Sequence, residues 1–273
     1  MKPADNKFTP APLFVIAGPC VIESEALCME VAEYMHNVCK RVGFQYIFKA
    51  SFDKANRSSK SSFRGPGLEK GLAILKSIKD RFSIPVLTDV HESHQAEAIG
   101  AVVDILQIPA FLARQTDLLE AAGKTGKWVN IKKGQFMSPQ EMGNAIDKVK
   151  ATGNSNIMLT ERGTFFGYGS LVNDFTGLAV MKEFRTPVIF DATHSTQRPA
   201  GLGNASGGNP QYAPLLARAA VAAGVDGLFL ECHPDPKNAK SDAATMLTLK
   251  QAEQLLTECK LMREAFLKTL ATV

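Results

Sequence analysis

The sequence predicts a single-domain (β/α)8 barrel of the TIM type, and three observations support that fold class. The chain has 273 residues, of which 45% are hydrophobic, enough for one large core. Short apolar runs alternate with stretches of helical periodicity, which is typical of βαβ units. There are eight such runs, and eight is the strand number of this barrel. A doubly wound open sheet shows the same alternation, so the strand count favours the barrel.

The predicted strands are short runs rich in β-branched and apolar residues. In chain order they lie at 13–17, 46–50, 85–88, 105–108, 129–132, 156–160, 188–191 and 227–231. One domain is expected over 1–273, with a short N-terminal extension at 1–12.

Helices are predicted between the strands from apolar residues spaced three or four apart. Ser138 is followed by proline and, three residues later, by Glu141, which together form a helix-start signal, and Gly153 supplies the stop. Thr248 begins a terminal helix that is predicted at about 248–269.

Composition argues against several classes of protein. No run approaches the roughly 20 apolar residues of a membrane span, and residues 1–12 lack the apolar core of a secretory signal. We therefore expect a cytoplasmic protein with no membrane partner. The net charge of +4 is distributed along the chain without a basic block, so no nucleic-acid partner is predicted. Five cysteines without a CxxC pair indicate free thiols.

Polar side chains follow every predicted strand at its carboxyl end, where barrel enzymes build their sites. One such residue alone is more often a solvated strand terminus or an ion-pair partner. The segments that enter the strands look like ordinary turns, however, so one end of the barrel is enriched. In strand order the polar residues are Cys20; Lys49 and Lys54; Asp89; Gln107; Lys132 and Lys133; Glu161 and Arg162; Asp191 and His194; and Glu231, His233, Asp235 and Asp242.

The cations of this set predict that phosphorylated small molecules bind. The loop at 51–59 combines two cations with hydroxyls and amides, which are the groups that bind phosphate oxygens. Several converging cations would offset most of the charge of two phosphorylated compounds. They are Lys49, Lys54, Arg57, Lys132 and Arg162. The loop at about 193–212 is rich in Gly, Ser and Asn and is predicted to be a structureless lid.

One thiol, one imidazole and two carboxylates follow the first, seventh and eighth strands, and the first and eighth become neighbours when a barrel closes. This donor set suits a divalent ion such as Fe²⁺, Zn²⁺, Co²⁺ or Mn²⁺. A lone cysteine is usually a small core residue, so spacing alone leaves that interpretation open. The four candidates are Cys20, His194, Glu231 and Asp242.

Several segments carry a resemblance to the 3-deoxy-D-manno-octulosonate 8-phosphate synthase family that covers nearly the whole chain. The longest is Lys-Ala-Ser-Phe-Asp-Lys-Ala-Asn-Arg-Ser-Ser at 49–59. Others are Phe-Arg-Gly-Pro-Gly at 63–67, Thr-Asp-Val-His at 88–91, the run at 107–115, Asn-Ile-Lys-Lys-Gly-Gln-Phe at 130–136, Phe-Asp-Ala-Thr-His-Ser at 190–195 and His-Pro-Asp-Pro at 233–236.

The resemblance implies a homotetrameric barrel enzyme that condenses phosphoenolpyruvate with arabinose 5-phosphate, as a step toward lipopolysaccharide. The residues implied to face phosphoenolpyruvate are Lys54, Gln107, Ala110, Lys132 and Arg162. Those implied to face the sugar phosphate are Asn56, Arg57, Ser58 and Asp89. Arg114 is implied to reach a neighbouring subunit's sugar-phosphate site. We also expect the substrate site to include Lys49, Ser51, Pro109 and Ser195, which lie in the matching segments.

The family has a metal-dependent branch with cysteine after the first strand and a metal-independent branch with asparagine there. Gly-Pro-Cys at 18–20 and Ser-Asp-Ala at 241–243 resemble the metal-dependent branch. The resemblance therefore implies that Cys20, His194, Glu231 and Asp242 hold a divalent ion.

The implied reaction begins when carbon three of phosphoenolpyruvate attacks the sugar aldehyde while water adds to carbon two; the resulting tetrahedral intermediate then loses phosphate. The expected catalytic residues are Lys54, Asp89 and His194. One rival is a synthase that joins the same enol phosphate to erythrose 4-phosphate or an amino sugar. Two further rivals are a Schiff-base aldolase that uses Lys49 or Lys132 and a sugar-phosphate-binding barrel without catalysis.

Overall fold

A computed structural model describes residues 9–10, 13–55, 62–199 and 207–271, and it shows a closed parallel barrel. Strand β1 (Phe14–Gly18) pairs in parallel with both β2 (Gln45–Lys49) and β8 (Gly227–His233), which closes the sheet. The other strands of the barrel are β3 (Val86–Asp89), β4 (Ile105–Ile108), β5 (Trp128–Lys132), β6 (Ile157–Glu161) and β7 (Val188–Asp191). Short two-residue strands lie outside the closed barrel, and one of them, Leu247–Thr248, pairs with the end of β8. The barrel prediction is confirmed, and every barrel strand lies within two residues of its predicted bounds.

Eight α-helices surround the barrel within the described part of the chain. They are α1 (Glu25–Val42), α2 (Leu68–Phe82), α3 (Ala96–Gly100), α4 (Thr116–Lys124), α5 (Met142–Lys150), α6 (Thr176–Lys182), α7 (Ala213–Ala222) and α8 (Leu249–Leu270). As predicted, α8 begins at Thr248, whose hydroxyl accepts from Gln251 N in a capping box. None of the described helices is both long and apolar enough to cross a membrane.

The predicted start of α5 is wrong by one turn. Ser138 N donates to Glu141 Oε2 at 2.8 Å, so the two residues do interact as predicted. The segment between them nevertheless forms a turn, because Met142 N bonds Pro139 O and Gly143 N bonds Gln140 O with i to i+3 spacing. The α-helix begins only at Met142.

The loop at 193–212 was predicted to be a structureless lid, but both of its ends contain regular structure. His194–Thr196 and Pro210–Tyr212 form 3₁₀ turns, and Gln197–Arg198 pairs with Gly207–Gly208 in a short antiparallel ladder. Residues 200–206 of this loop lie outside the described ranges. The prediction of a structureless segment is therefore wrong for the parts of the loop that the structure describes.

The interior of the barrel is divided into an apolar floor and a polar upper layer. The floor is a separate buried cluster of Phe14, Ile16, Ile47, Leu87, Ile105, Met158, Ile189 and Phe229. Successive inward side chains on a strand lie two residues apart. Two residues beyond the floor, the same strands therefore present Lys49, Asp89, Gln107, Thr160, Asp191 and Glu231, all buried. The strand periodicity thus brings the predicted polar residues together at one end of the barrel.

Candidate active site

Lys49 connects the second and eighth strands at the centre of the polar layer. Its Nζ lies 3.1 Å from Glu231 Oε1 and 3.9 Å from Asp89 Oδ2, and it donates to Cys20 O at 3.1 Å. The side chain is 1% exposed. Because two carboxylates surround it, the ammonium group remains compensated although it is removed from water.

Asp191 connects a predicted substrate lysine to a predicted metal ligand. Its Oδ2 lies 2.6 Å from Lys132 Nζ and 2.8 Å from His194 Nδ1. Its Oδ1 accepts from the backbone N–H of Thr193 and His194 at 3.1 and 2.8 Å. Burial acts to raise the pKa of Asp191, but His194 and Lys132 hold it well below the usual range. The sequence predicted Asp191 at a strand end without assigning it a role, whereas in the structure it contacts both Lys132 and His194.

Three of the four predicted metal ligands lie close together. Ligand atoms of Cys20, Glu231 and Asp242 all lie within 4.8 Å of one another. The fourth candidate, His194, points Nε2 at them, 3.6 Å from Glu231 Oε2 and 3.7 Å from Asp242 Oδ2. Its other nitrogen is held by Asp191, an arrangement that typically orients a histidine ligand.

The chemistry of these donors fits a divalent ion. Among the described residues, Glu231 Oε2 is a buried oxygen without a hydrogen-bond partner. Burying such an oxygen costs desolvation free energy, which a bound cation would offset. Burial raises the pKa of the Cys20 thiol well above its ordinary range, and the charges of Asp242 and Glu231 raise it further, so this thiol would ionise as a ligand only beside a cation. Asp242 adopts φ 45°, a left-handed conformation that aspartate tolerates better than most residues.

Asp89 is the acceptor at the third strand. Ser51 Oγ donates to its Oδ2 and Gln107 Nε2 donates to its Oδ1. Burial acts to raise the pKa of Asp89, but Lys49 and Lys54 lower it well below the usual range. The carboxylate is therefore ionised and acts only as an acceptor.

Two residues that sequence reasoning did not select support Gln107 from the neighbouring strands. Asn130 Nδ2 donates to Gln107 Oε1 at 3.1 Å, and Thr160 Oγ1 donates to Asn130 Oδ1 at 2.7 Å. Their inward-facing parity, two residues beyond the floor on β5 and β6, was the available signal. Both side chains are neutral, whereas the predicted phosphate and metal sites were built mainly from charged residues, so neither was selected.

Arg162 brings a guanidinium group into the site from the end of β6. Its Nη2 donates to Gln197 Oε1 at 2.6 Å, while Nη1 is buried and lacks a partner among the described residues. The backbone N–H groups of Arg162 and Gly163 donate to Glu161 Oε1 at 3.0 and 2.6 Å, which fixes the chain at this point. An unpartnered buried donor of this kind suits an anionic ligand.

The other predicted substrate residues lie in different surroundings. Lys54 is half-buried, and although burial acts to lower its pKa, the charges of Glu231, Asp89 and Asp242 raise it. Ser195 is buried with its hydroxyl lacking a described partner. Pro109 and Ala110 begin the turn after β4. The predicted Asn56, Arg57 and Ser58 lie outside the described residues.

Arg114 is the predicted residue that the structure places outside the barrel interior. It is exposed and lines a surface pocket together with Glu141 and Lys148. Its carbonyl accepts from Lys148 Nζ at 2.8 Å. The side chain thus faces outward from its own subunit.

Comparison with known proteins identifies the family. The model of the DAHP synthetase I family matches residues 9–268. A 2-dehydro-3-deoxyphosphooctonate aldolase of Koribacter versatilis is 60% identical over 93% of this chain and 92% of its own length. Those of Thioalkalivibrio sulfidiphilus and Desulfatibacillum aliphaticivorans are each 55% identical, over 91% and 93% of this chain and 89% and 93% of their own lengths. The chain therefore belongs to the DAHP synthetase I family and, within it, to the 2-dehydro-3-deoxyphosphooctonate aldolases, which are also called 3-deoxy-D-manno-octulosonate 8-phosphate synthases.

Proposed function

We propose that this chain is the transferase that condenses phosphoenolpyruvate with D-arabinose 5-phosphate and water, giving 3-deoxy-D-manno-octulosonate 8-phosphate and phosphate for lipopolysaccharide synthesis. The observation that carries this proposal is a buried cluster of cations in a barrel whose sequence is 60% identical to that of a 2-dehydro-3-deoxyphosphooctonate aldolase. Lys49 and Lys132 are buried beside carboxylates, and Arg162 keeps one guanidinium nitrogen without a protein partner.

The enol phosphate is assigned to the deeper cations and the sugar phosphate to the loop after β2. Phosphoenolpyruvate carries a phosphate and a carboxylate, and charge-assisted bonds to cations that are removed from water are strong. The residues assigned to it are Lys54, Gln107, Ala110, Lys132 and Arg162, with Lys49, Ser51, Pro109 and Ser195 completing the wall. Those assigned to the sugar phosphate are Asn56, Arg57, Ser58 and Asp89.

The protein's own groups position the reactants and stabilise their charges. Carbon three of the enol phosphate attacks the sugar aldehyde, water adds to carbon two, and the resulting tetrahedral intermediate releases phosphate. Holding both substrates in one cavity contributes several kcal/mol by proximity, on the order of 7 for a well-aligned pair. Lys54, Asp89 and His194 are the residues that we assign to catalysis. The lowered pKa of Asp89 and the raised pKa of Lys54 keep both side chains charged, so they act by stabilising charge and by orienting the substrates. His194 acts through the proposed metal site, toward which its Nε2 points.

Cys20, His194, Glu231 and Asp242 would hold a divalent ion, for which Fe²⁺, Zn²⁺, Co²⁺ and Mn²⁺ have the right ligand preferences. When bound, such an ion orients an aldehyde oxygen or lowers the pKa of a water molecule. The fit rests on the mixed thiol, imidazole and carboxylate donors and on the unpartnered Glu231 oxygen.

A homotetramer in the cytoplasm is the assembly and location that we propose. The outward-facing Arg114 supports an assembly in which it completes a neighbour's sugar-phosphate site. Free buried cysteines support a reducing compartment, because all five of them are unpaired.

Phosphate release from phosphoenolpyruvate tests the proposal. Release is expected with arabinose 5-phosphate and not with erythrose 4-phosphate or an amino sugar. A strong chelator is expected to abolish it, and added Mn²⁺, Co²⁺ or Fe²⁺ to restore it, since the thiol-containing donor set binds such ions. A Lys132→Ala variant serves as the inactive control. Preference for another aldehyde would contradict the substrate assignment, and full activity in chelator would contradict the metal assignment.

A further inference from the structure

Four buried side chains form one hydrogen-bonded line across four neighbouring strands, which we name the polar row. It runs from Thr160 on β6 through Asn130 on β5 and Gln107 on β4 to Asp89 on β3. Thr160 and Asn130 are 0% exposed and Gln107 is 1% exposed. The row lies directly above the apolar floor, at the level where the substrate cations begin.

The polar row has one direction of donation. The Asp89 carboxylate only accepts, so Gln107 must turn its NH₂ group toward it. Gln107 Oε1 then requires a donor, and Asn130 Nδ2 supplies it at 3.1 Å. Asn130 Oδ1 in turn accepts from the Thr160 hydroxyl at 2.7 Å. Both neighbours of Gln107 therefore favour the same orientation of its amide.

The orientation of the Gln107 amide matters for an anionic ligand. An amide NH₂ group has two hydrogens, and only one is used by Asp89, so the other remains for a ligand oxygen. In the opposite orientation the amide would present its carbonyl oxygen, which cannot donate to an anion. A buried site that loses its donor in this way discriminates strongly against its ligand.

We propose that Asn130 and Thr160 are positioning residues that hold the Gln107 amide as a hydrogen-bond donor to phosphoenolpyruvate. This inference rests on the proposed function, which places the enol phosphate against Gln107. Neither residue touches the substrate in this proposal, because each acts through the next member of the polar row.

The threonine at the end of the polar row provides the first test. Thr160→Val removes the hydroxyl at nearly constant volume and is expected to raise the KM for phosphoenolpyruvate about 5- to 10-fold, as for one lost hydrogen bond. Thr160→Ser keeps the hydroxyl and is expected to restore the KM. Thr88→Val is the matched control, because Thr88 is also 0% exposed but donates to Ala50 O at 2.8 Å, outside the row.

The asparagine provides a second test with a nearly isosteric change. Asn130→Asp replaces the donor to Gln107 by a second acceptor. The two carboxylates together can engage both hydrogens of the Gln107 NH₂ group, which leaves no donor for the ligand, and the KM for phosphoenolpyruvate is expected to rise about 100-fold. Asn154→Asp is the matched control. Asn154 is buried at the opposite end of the barrel, where its Nδ2 donates to Gly123 O and Lys127 O at 3.1 and 2.8 Å.

The measurements are KM for each substrate, kcat, and the Kd of phosphoenolpyruvate by calorimetry on the metal-loaded enzyme, with melting temperatures for every variant. The expected result is a loss of phosphoenolpyruvate binding in the row variants beyond any change in the controls. Equal values of KM in Thr160→Val and Thr88→Val would overturn the inference, even if Asn130→Asp fails to fold. A wild-type enzyme that neither binds nor consumes phosphoenolpyruvate would instead overturn the proposed function.

Discussion

At the scale of the single residue, Asp191 shows how one side chain can serve two parts of a site. Its carboxylate accepts from Lys132 and from His194 through the same oxygen, at 2.6 and 2.8 Å. It thereby sets the position of a lysine assigned to the substrate and turns a histidine nitrogen toward the metal candidates. Carboxylate partners of ligating histidines fix ring orientation and raise ligand basicity.

Asp191→Asn is expected to weaken metal binding about 10- to 100-fold, the usual effect of losing such a partner. The amide keeps the size of the side chain but lacks the charge that compensates Lys132 and His194. Titration with Co²⁺, followed by absorption of the cobalt–thiolate bond at Cys20, measures the affinity directly. Asp226→Asn is the control, since Asp226 lies in the turn before β8 at the opposite end of the barrel. Unchanged Co²⁺ affinity in Asp191→Asn would contradict the orienting role.

At the scale of the element, the ends of β5 and β6 are joined by a buried ion pair that sequence reasoning counted among the site residues. Lys133 Nζ lies 3.6 Å from Glu161 Oε1 and donates to Thr164 Oγ1 and Met137 O at 2.9 and 3.2 Å. Burial lowers the pKa of Lys133 and raises the pKa of Glu161, so each charge depends on the other. Because Glu161 also holds the backbone of Arg162, the pair supports the site from behind.

Lys133→Met is expected to destabilise the protein by about 3–5 kcal/mol, because it leaves the buried Glu161 carboxylate uncompensated. The double variant Lys133→Met with Glu161→Gln is expected to recover part of this loss, since the amide needs no counter-charge and can still accept from the backbone. Melting temperatures of the single and double variants provide the measurement. A double variant that is less stable than Lys133→Met alone would show that the charge of Glu161 is not the cause.

The elements also show what could be predicted from the sequence. Short apolar runs predicted the strands to within two residues, and the position of Lys49, Asp89 and Glu231 at strand ends predicted that they meet at one end of the barrel. The pairing of Lys133 with Glu161 could not be predicted, because both lie at strand ends, next to residues that are assigned to the substrates. Alternation along β5 directs Lys132 inward and Lys133 away from the barrel interior, but the partner that Lys133 meets there, Glu161, is known only from the folded structure.

At the scale of the whole molecule, the proposed role of Arg114 would make the activity depend on assembly of the subunits. The residue is exposed on its own subunit, and its backbone carbonyl accepts from Lys148 on α5. In a tetramer it would supply the cation that a neighbouring sugar-phosphate site needs. Sequence alone could suggest this role only through family resemblance, since nothing in local periodicity distinguishes an interface arginine from a solvated one.

Arg114→Ala is expected to lower kcat/KM for arabinose 5-phosphate about 10- to 100-fold, as for one lost charged hydrogen bond. Co-expression with a Lys132→Ala chain that carries a different tag provides a sharper measurement. In oligomers purified through both tags, the Lys132→Ala subunit donates an intact Arg114 to a site that retains Lys132, so activity is expected to exceed the sum of the two variants. Activity that remains at that sum would exclude a contribution across subunits.

The apolar floor closes the cavity at the lower end of the barrel. Phe14, Phe229 and their neighbours are fully buried, and within the described part of the chain they leave no polar route through the lower barrel. Charged compounds would therefore enter and leave by one opening. With the enol phosphate bound to the deepest cations, as proposed, it would have to bind before the sugar phosphate occupies the opening, and released phosphate would leave by the same route as the larger product. The apolar half of the barrel, which binds neither substrate in this proposal, would thus determine the order in which substrates bind and products leave.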